Sequence, residues 1–341
     1  MPPYAEEVHA TAGEAPRRRA TASDRLPYLF VVGCPRSGTT LLQRMLDHHP
    51  RLAVANDTHF IPRALEKVDA RLIDVARQGA DVRLTGELVA GVRAYHRFPR
   101  LGISDEAVER ASGKSATYGE FVTALYGEFA RQAGKPLSGE KTPDYVRRLP
   151  LLHALFPWTR SVHIVRDGRN VALSLVDWAT PTKGPGRLDL WCREPVAVGA
   201  LWWRWLVGRG CADGRKLGPD CYLEIKYEEL VVRPARTLAG LVEFLKLPFA
   251  TEMLAYHRGK QVRAKLGLSA KSAWLPPTSG LRDWKTHMSA RDLELFEALA
   301  GDRLEELGYP RAVETFSAEV TEVAASCRAW WSEHMEEGRG G

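Results

Sequence analysis

One stretch limits the folds open to this chain more than any other: Tyr28 to Leu46, YLFVVGCPRSGTTLLQRML. Its first five residues, Tyr28, Leu29, Phe30, Val31 and Val32, form an apolar, β-branched and aromatic run that Gly33 ends sharply, the pattern of a buried strand. Leu41, Leu42, Met45 and Leu46 then recur at helical spacing, and Thr39 or Thr40 supplies a hydroxyl at the helix start. Between strand and helix lies GCPRSGTT. Its glycines let the backbone curl so that several amides point into one concavity, where the helix macrodipole adds about half a positive charge. That geometry holds an anion.

The spacing from Gly33 to Gly38 and on to Thr40 copies the G-x-x-x-x-G-K-[ST] loop of nucleotide hydrolases, with Thr39 in the lysine position. The cation stands inside the loop instead, at Arg36. This argues against ordinary ATP chemistry, in which the loop lysine reaches the β- and γ-phosphates. The run Pro35-Arg36-Ser37-Gly38-Thr39-Thr40 resembles the P-[RK]-S-G-T-T loop with which sulfotransferases hold the 5′-phosphosulfate of 3′-phosphoadenosine 5′-phosphosulfate (PAPS).

Later segments extend the resemblance. A compact strand pattern, Thr159 to Val165, is followed by RDGRNVALS, in which Arg166 and Ser174 stand eight residues apart. Sulfotransferases bind the 3′-phosphate of the cofactor with an arginine and a serine at this interval. GEKTPDY is similar to their E-K-[TS]-P-x-Y motif, which implies that Lys141 lies near the phosphosulfate and neutralises charge on the leaving oxygen. Tyr227 resembles the tyrosine beside the adenine ring. Arg282, Trp284 and Lys285 match the late R-x-W-[KR] loop that closes over the adenosine and 3′-phosphate.

ANDTHFIPR follows a short strand pattern at Arg51 to Val54. A carboxylate just beyond a strand next to the anion loop faces the crevice where open parallel sheets bind ligands. Asp57 is therefore the candidate general base and His59 the second candidate. The segment looks like the one in tyrosylprotein and heparan sulfate sulfotransferases that carries a glutamate at the Asp57 position. Asp is one methylene shorter, so transfer of the base role to His59 stays open, as does a plain cap by Asp57 for a helix near Thr58.

The rest of the chain sets bounds. Its 341 residues, 45% of them hydrophobic, suffice for a real α/β core. A net charge of +6 suits a polyanionic cofactor, and without an arginine-rich helix or aromatic RNA-binding signature no nucleic-acid partner is expected. Five scattered cysteines make neither a disulfide framework nor a zinc site, and a reducing, cytoplasmic location is the easier reading. The reaction that the resemblance implies requires no metal, since arginine, lysine and amides supply the positive charge. No run of eighteen apolar residues spans a membrane, which aligns the resemblance with soluble members. Helical patterns occupy Ile61 to Arg97, Tyr118 to Arg131, the region of Trp202, Trp203 and Trp205, Arg236 to Leu245, and Ala290 to Leu307. Ala179 to Arg193 reads as a flexible flap, and Trp330-Trp331 as a pair packing on the domain or a partner.

The resemblance implies an α/β fold: a P-loop-like three-layer domain with a central parallel sheet and helical inserts. Residues 1–25 read as a disordered tail, 26–310 as the sulfotransferase domain and 311–341 as a helical extension. The implied reaction moves a sulfuryl group from PAPS to a hydroxyl or amine of a small-molecule, glycan or peptide acceptor, leaving adenosine 3′,5′-bisphosphate (PAP). A homodimer is left open. The alternative is a P-loop small-molecule kinase using ATP and Mg²⁺, with Asp167 as metal carboxylate but no loop lysine to accompany it.

Overall fold

The computed structural model describes residues 25–258 and 283–336. The first half runs β1 (Leu29–Val32), α1 (Thr39–Asp47), β2 (Leu52–Asn56), α2 (Phe60–Val68), α3 (Arg71–Arg77), α4 (Gly86–Arg93), α5 (Asp105–Ser112), α6 (Tyr118–Gln132) and β3 (Leu137–Lys141). Then come α7 (Leu149–Leu155), β4 (Arg160–Val165), α8 (Gly168–Val176), α9 (Pro195–Lys216), β5 (Tyr222–Lys226), α10 (Tyr227–Val232), α11 (Pro234–Phe244), α12 (Trp284–His287), α13 (Ala290–Glu306) and α14 (Ala318–Trp331).

The five strands form one sheet in the order β2-β3-β1-β4-β5, every neighbouring pair parallel. β1 holds the centre because all four of its side chains are apolar and fully buried. Successive side chains of a strand point to opposite faces, so both faces of the sheet are covered and the architecture is layered. Phe30, on one of those faces, meets the Tyr145 ring edge-on at 5.9 Å and the Phe156 ring at 6.1 Å.

β3 is a strand that the residue pattern does not announce. LSGEK contains a glycine and two charges, poor strand formers, yet it lies fully buried between β2 and β1. Gly139 explains the tolerance: a β-carbon there would lie 2.4 Å from the Leu29 carbonyl oxygen, so this pairing needs a bare backbone.

Three other expectations change. The hydroxyls of Thr39 and Thr40 do not cap α1; its N-cap is Gly38 at φ +93°, with no side-chain cap. The helical pattern from Ile61 to Arg97 divides into α2, α3 and α4, the last restarted by a Thr85 side-chain cap on the Leu88 amide. Ala179 to Arg193, expected as a flap, folds into two 3₁₀ turns, Gly184–Arg187 and Asp189–Cys192. The C-terminal helix leans on α9: Trp331 is buried and meets the Trp202 and Trp205 rings at 6.4 and 6.2 Å.

Candidate functional site

The carboxyl ends of β1, β2, β3 and β4 open on one edge of the sheet, where the polar motifs gather. The first cluster is built on the loop after β1. Gly33 (φ +155°) has no room for a side chain, since a β-carbon would lie 2.6 Å from the Ile164 carbonyl oxygen. The Ser37 amide donates to the Cys34 carbonyl at 3.1 Å and tightens the turn. The α1 N-terminus it leads into has no acid in its first turn, so its amides retain their positive potential.

Two motifs far apart in sequence meet here. Arg36 Nε donates to Ser174 Oγ at 2.9 Å, and Arg166 Nη1 donates to the Arg36 carbonyl at 3.2 Å. The Arg166 guanidinium lies over the Tyr227 ring, 4.4 Å from its centroid, and that ring fills the space that a side chain at Gly38 would need. Ser37 Oγ and Arg166 Nε are buried without a hydrogen-bond partner in the structure. Such orphaned donors are costly unless a ligand or water satisfies them.

Of the remaining expected donor residues, Thr39 is buried in the first turn of α1 and Thr40 follows it. Trp284 packs on α8: its amide donates to Asn170 Oδ1 at 2.9 Å, and the Arg169 guanidinium lies 3.7 Å from its ring centroid. Lys285 is exposed beside it, its Nζ 5.7 Å from the same ring. Arg282 lies outside the described residues. Asp167 is not turned to the crevice edge as a metal carboxylate; it caps α8 through the Arg169 amide and pairs with the buried Arg169 guanidinium at 2.7 Å.

The second cluster hangs on Asp57. Its amide donates to the Lys141 carbonyl at 2.7 Å, continuing the β2–β3 ladder by one rung. The carboxylate does not cap a helix. Oδ1 contacts His59 Nε2 at 3.0 Å and Lys141 Nζ at 3.9 Å, while Oδ2 accepts from Arg97 and Arg100 at 3.2 Å each. Burial pushes its pKa up, but Lys141, His59 and Arg97 together hold it well below the usual carboxylate range. Lys141 is pulled below its ordinary value by burial, against the opposing pull of Asp57 and Glu140.

Glu140 organises this side, a role that the motif alone does not reveal. Fully buried, it accepts from the Thr58 amide at 2.9 Å, the Thr58 hydroxyl at 2.5 Å and the His59 amide at 3.2 Å, and also from the Thr142 and Tyr126 hydroxyls. It thereby pins the Asp57-Thr58-His59 turn to β3. Arg36, Asp57 and His59 have φ of +78°, +65° and +60°; Lys246 is the one other described non-glycine residue with positive φ. Backbone in this region costs energy and persists where surrounding contacts impose it, which is common at functional sites.

Among the described residues, no group of three or more His, Cys, Asp or Glu side chains is placed to hold a metal ion. Fold and crevice thus define an α/β protein with a phosphate-type cradle at the switch between β1 and its neighbours. The Sulfotransferase family model matches residues 27–251, more than half of the chain, and the chain belongs to that family. Protein-tyrosine sulfotransferase 2 of Gallus gallus is 26% identical over 232 residues, covering 68% of this chain and 54% of the relative. Nodulation protein NoeE of Sinorhizobium fredii is 27% identical over 339 residues, covering 91% and 75%. The chain spans about half the length of the tyrosine sulfotransferases it matches from Caenorhabditis elegans and Gallus gallus, 54% in each case. The sulfotransferase domain from the Synechococcus PCC 7002 olefin synthase has the same fold, with a TM-score of 0.55 at 20% identity over 93% of this chain and 98% of that one.

Proposed function

We propose that this chain is a PAPS-dependent sulfotransferase that moves a sulfuryl group by in-line displacement to an acceptor hydroxyl or amine, releasing PAP. The observation that carries this reading is the joining of Arg36, Arg166 and Ser174 into one hydrogen-bonded unit beside the Asp57–Lys141 pair. The residues fit a nucleotide bearing phosphates at two positions: the orphaned Ser37 Oγ and Arg166 Nε each need an acceptor, and α1 offers uncapped amides.

In this reading Arg36, Ser37, Gly38, Thr39 and Thr40 hold the 5′-phosphosulfate, and Arg166 with Ser174 selects the 3′-phosphate. Tyr227, Trp284 and Lys285 line the adenosine. Asp57 takes the acceptor's proton, with His59 held against it. The depressed proton affinity of Asp57 keeps it ionised at neutral pH, so it accepts that proton late, once the forming O–S bond has acidified the hydroxyl. Lys141, buried beside it, stabilises negative charge on the departing bridging oxygen.

The sulfotransferase domain is taken as residues 26–310 with 311–341 as a helical extension, acting in the cytoplasm on a small-molecule, glycan or peptide acceptor, as a monomer or homodimer. The five free cysteines support the compartment reading; among the described residues no helix is long and apolar enough to cross a membrane. Calorimetry with PAP against ATP plus Mg²⁺ tests the central claim. PAP binding is expected; preference for ATP with Mg²⁺ would instead select the kinase alternative.

A further inference from the structure

One cation that shares an indole with Arg36 has no role in the proposed reaction. Lys183 sits between α8 and α9, in a turn closed by two backbone hydrogen bonds with Thr180, at 2.8 and 3.2 Å. Gly184 follows at φ +61° and lies directly on Trp178, where a β-carbon would meet the indole at 2.4 Å. Lys183 Nζ lies 4.3 Å from the Trp178 ring centroid, and the Arg36 guanidinium carbon lies 5.9 Å from the same centroid. One indole therefore carries two like charges.

Among the described residues no carboxylate comes within ion-pair distance of Lys183, whose side chain is exposed. Burial, Arg36 and Arg97 all disfavour its proton, and Asp57 alone favours it. Geometry ties it to the anion loop: Lys183 stands on the same indole as Arg36, whose Nε donates to Ser174 Oγ at 2.9 Å. The Trp178 Nε1 donor beside it is buried without a partner. Two cations and an unpaired donor gathered at one indole beside the anion loop attract an anion.

We propose that Lys183 is a further catalytic residue, its ammonium contacting the sulfuryl oxygens as the group passes between donor and acceptor. This rests on the sulfotransferase reading above. In the step, the acceptor oxygen forms a bond to sulfur as the bridging S–O bond of PAPS breaks. The electron pair of the broken bond goes to the PAP phosphate oxygen, and the acceptor proton goes to Asp57. The non-bridging sulfuryl oxygens carry negative charge throughout, and Lys183 offers them a counter-charge that PAP, lacking the group, does not use.

Titration calorimetry of PAPS and of PAP against the wild-type chain, Lys183→Gln and Lys183→Arg tests this without an acceptor. Lys183→Gln is expected to weaken PAPS binding roughly fivefold, the size of one charge-assisted contact reduced by solvent, and to leave PAP binding within about twofold. Lys183→Arg restores most of the PAPS affinity. Equal loss of both ligands, or no change in either, overturns the role of the lysine. A wild-type chain that binds neither nucleotide overturns the sulfotransferase reading itself.

Discussion

The loop side and the Asp57 side of the crevice solve opposite problems. The loop side leaves donors unsatisfied: Ser37 Oγ and Arg166 Nε are buried with no partner, and α1 begins without a side-chain cap. The Asp57 side is saturated, with one carboxylate contacting His59, Arg97, Arg100 and Lys141, and Glu140 holding the turn beneath it. A site for a ligand of fixed charge tolerates open valences, because the ligand closes them. A group that must exchange a proton is instead held by neighbours that set its affinity.

The contrast is tested most strongly by separating chemistry from binding. Asp57→Asn is expected to lower kcat about 10²- to 10⁴-fold with a confirmed acceptor while PAP affinity, read by calorimetry, stays unchanged; a matching loss of PAP binding would erase the distinction between the sides. Next in size is the saturated core. Glu140→Ala strands several buried donors and is expected to cost about 3 kcal/mol in urea unfolding. Ser37→Ala removes an orphaned hydroxyl, and so should leave the stability of the ligand-free protein unchanged or slightly raised.

Arg166→Ala should weaken PAP binding roughly tenfold or more, and an unaltered affinity would remove the 3′-phosphate assignment. Acid gives the smallest effect and acts on one side only. The Asp57 pKa is lower folded than unfolded, so its contribution is fully present above the unfolded value of about 4 and is lost as pH falls through the lower, folded value. The stability difference between wild type and Asp57→Asn should therefore shrink below about pH 4 in unfolding curves, whereas Arg166→Ala should shift stability equally across that range.

The same contrast explains which parts of the molecule were legible in the sequence. The loop side is written in contiguous residues: an apolar strand, a glycine-bounded turn and a helix, then RDGRNVALS at the end of a second apolar strand. Backbone geometry is local, so its signature is local. The Asp57 side is assembled across the sheet. Asp57 was visible as a carboxylate at a strand end, but Arg97 and Arg100 lie 40 and 43 residues away in a segment with no motif. β3 was hidden because its strand identity comes from the space Gly139 leaves for β1, not from side-chain propensity. The expected caps by Thr39, Thr40 or Asp57 gave way to Gly38 and to ion pairing, competitions that propensity alone does not decide.

Gly38 and Tyr227 carry one last implication. The Tyr227 ring occupies the volume that any larger residue at position 38 would claim, so the loop and the start of α10 are gauged against each other by direct steric contact. A shift of β5 and α10 would be felt at once by the amides of α1. The placement of the loop after β1 against the start of α10 is thereby set by shape before any ligand arrives, whatever the charges around it.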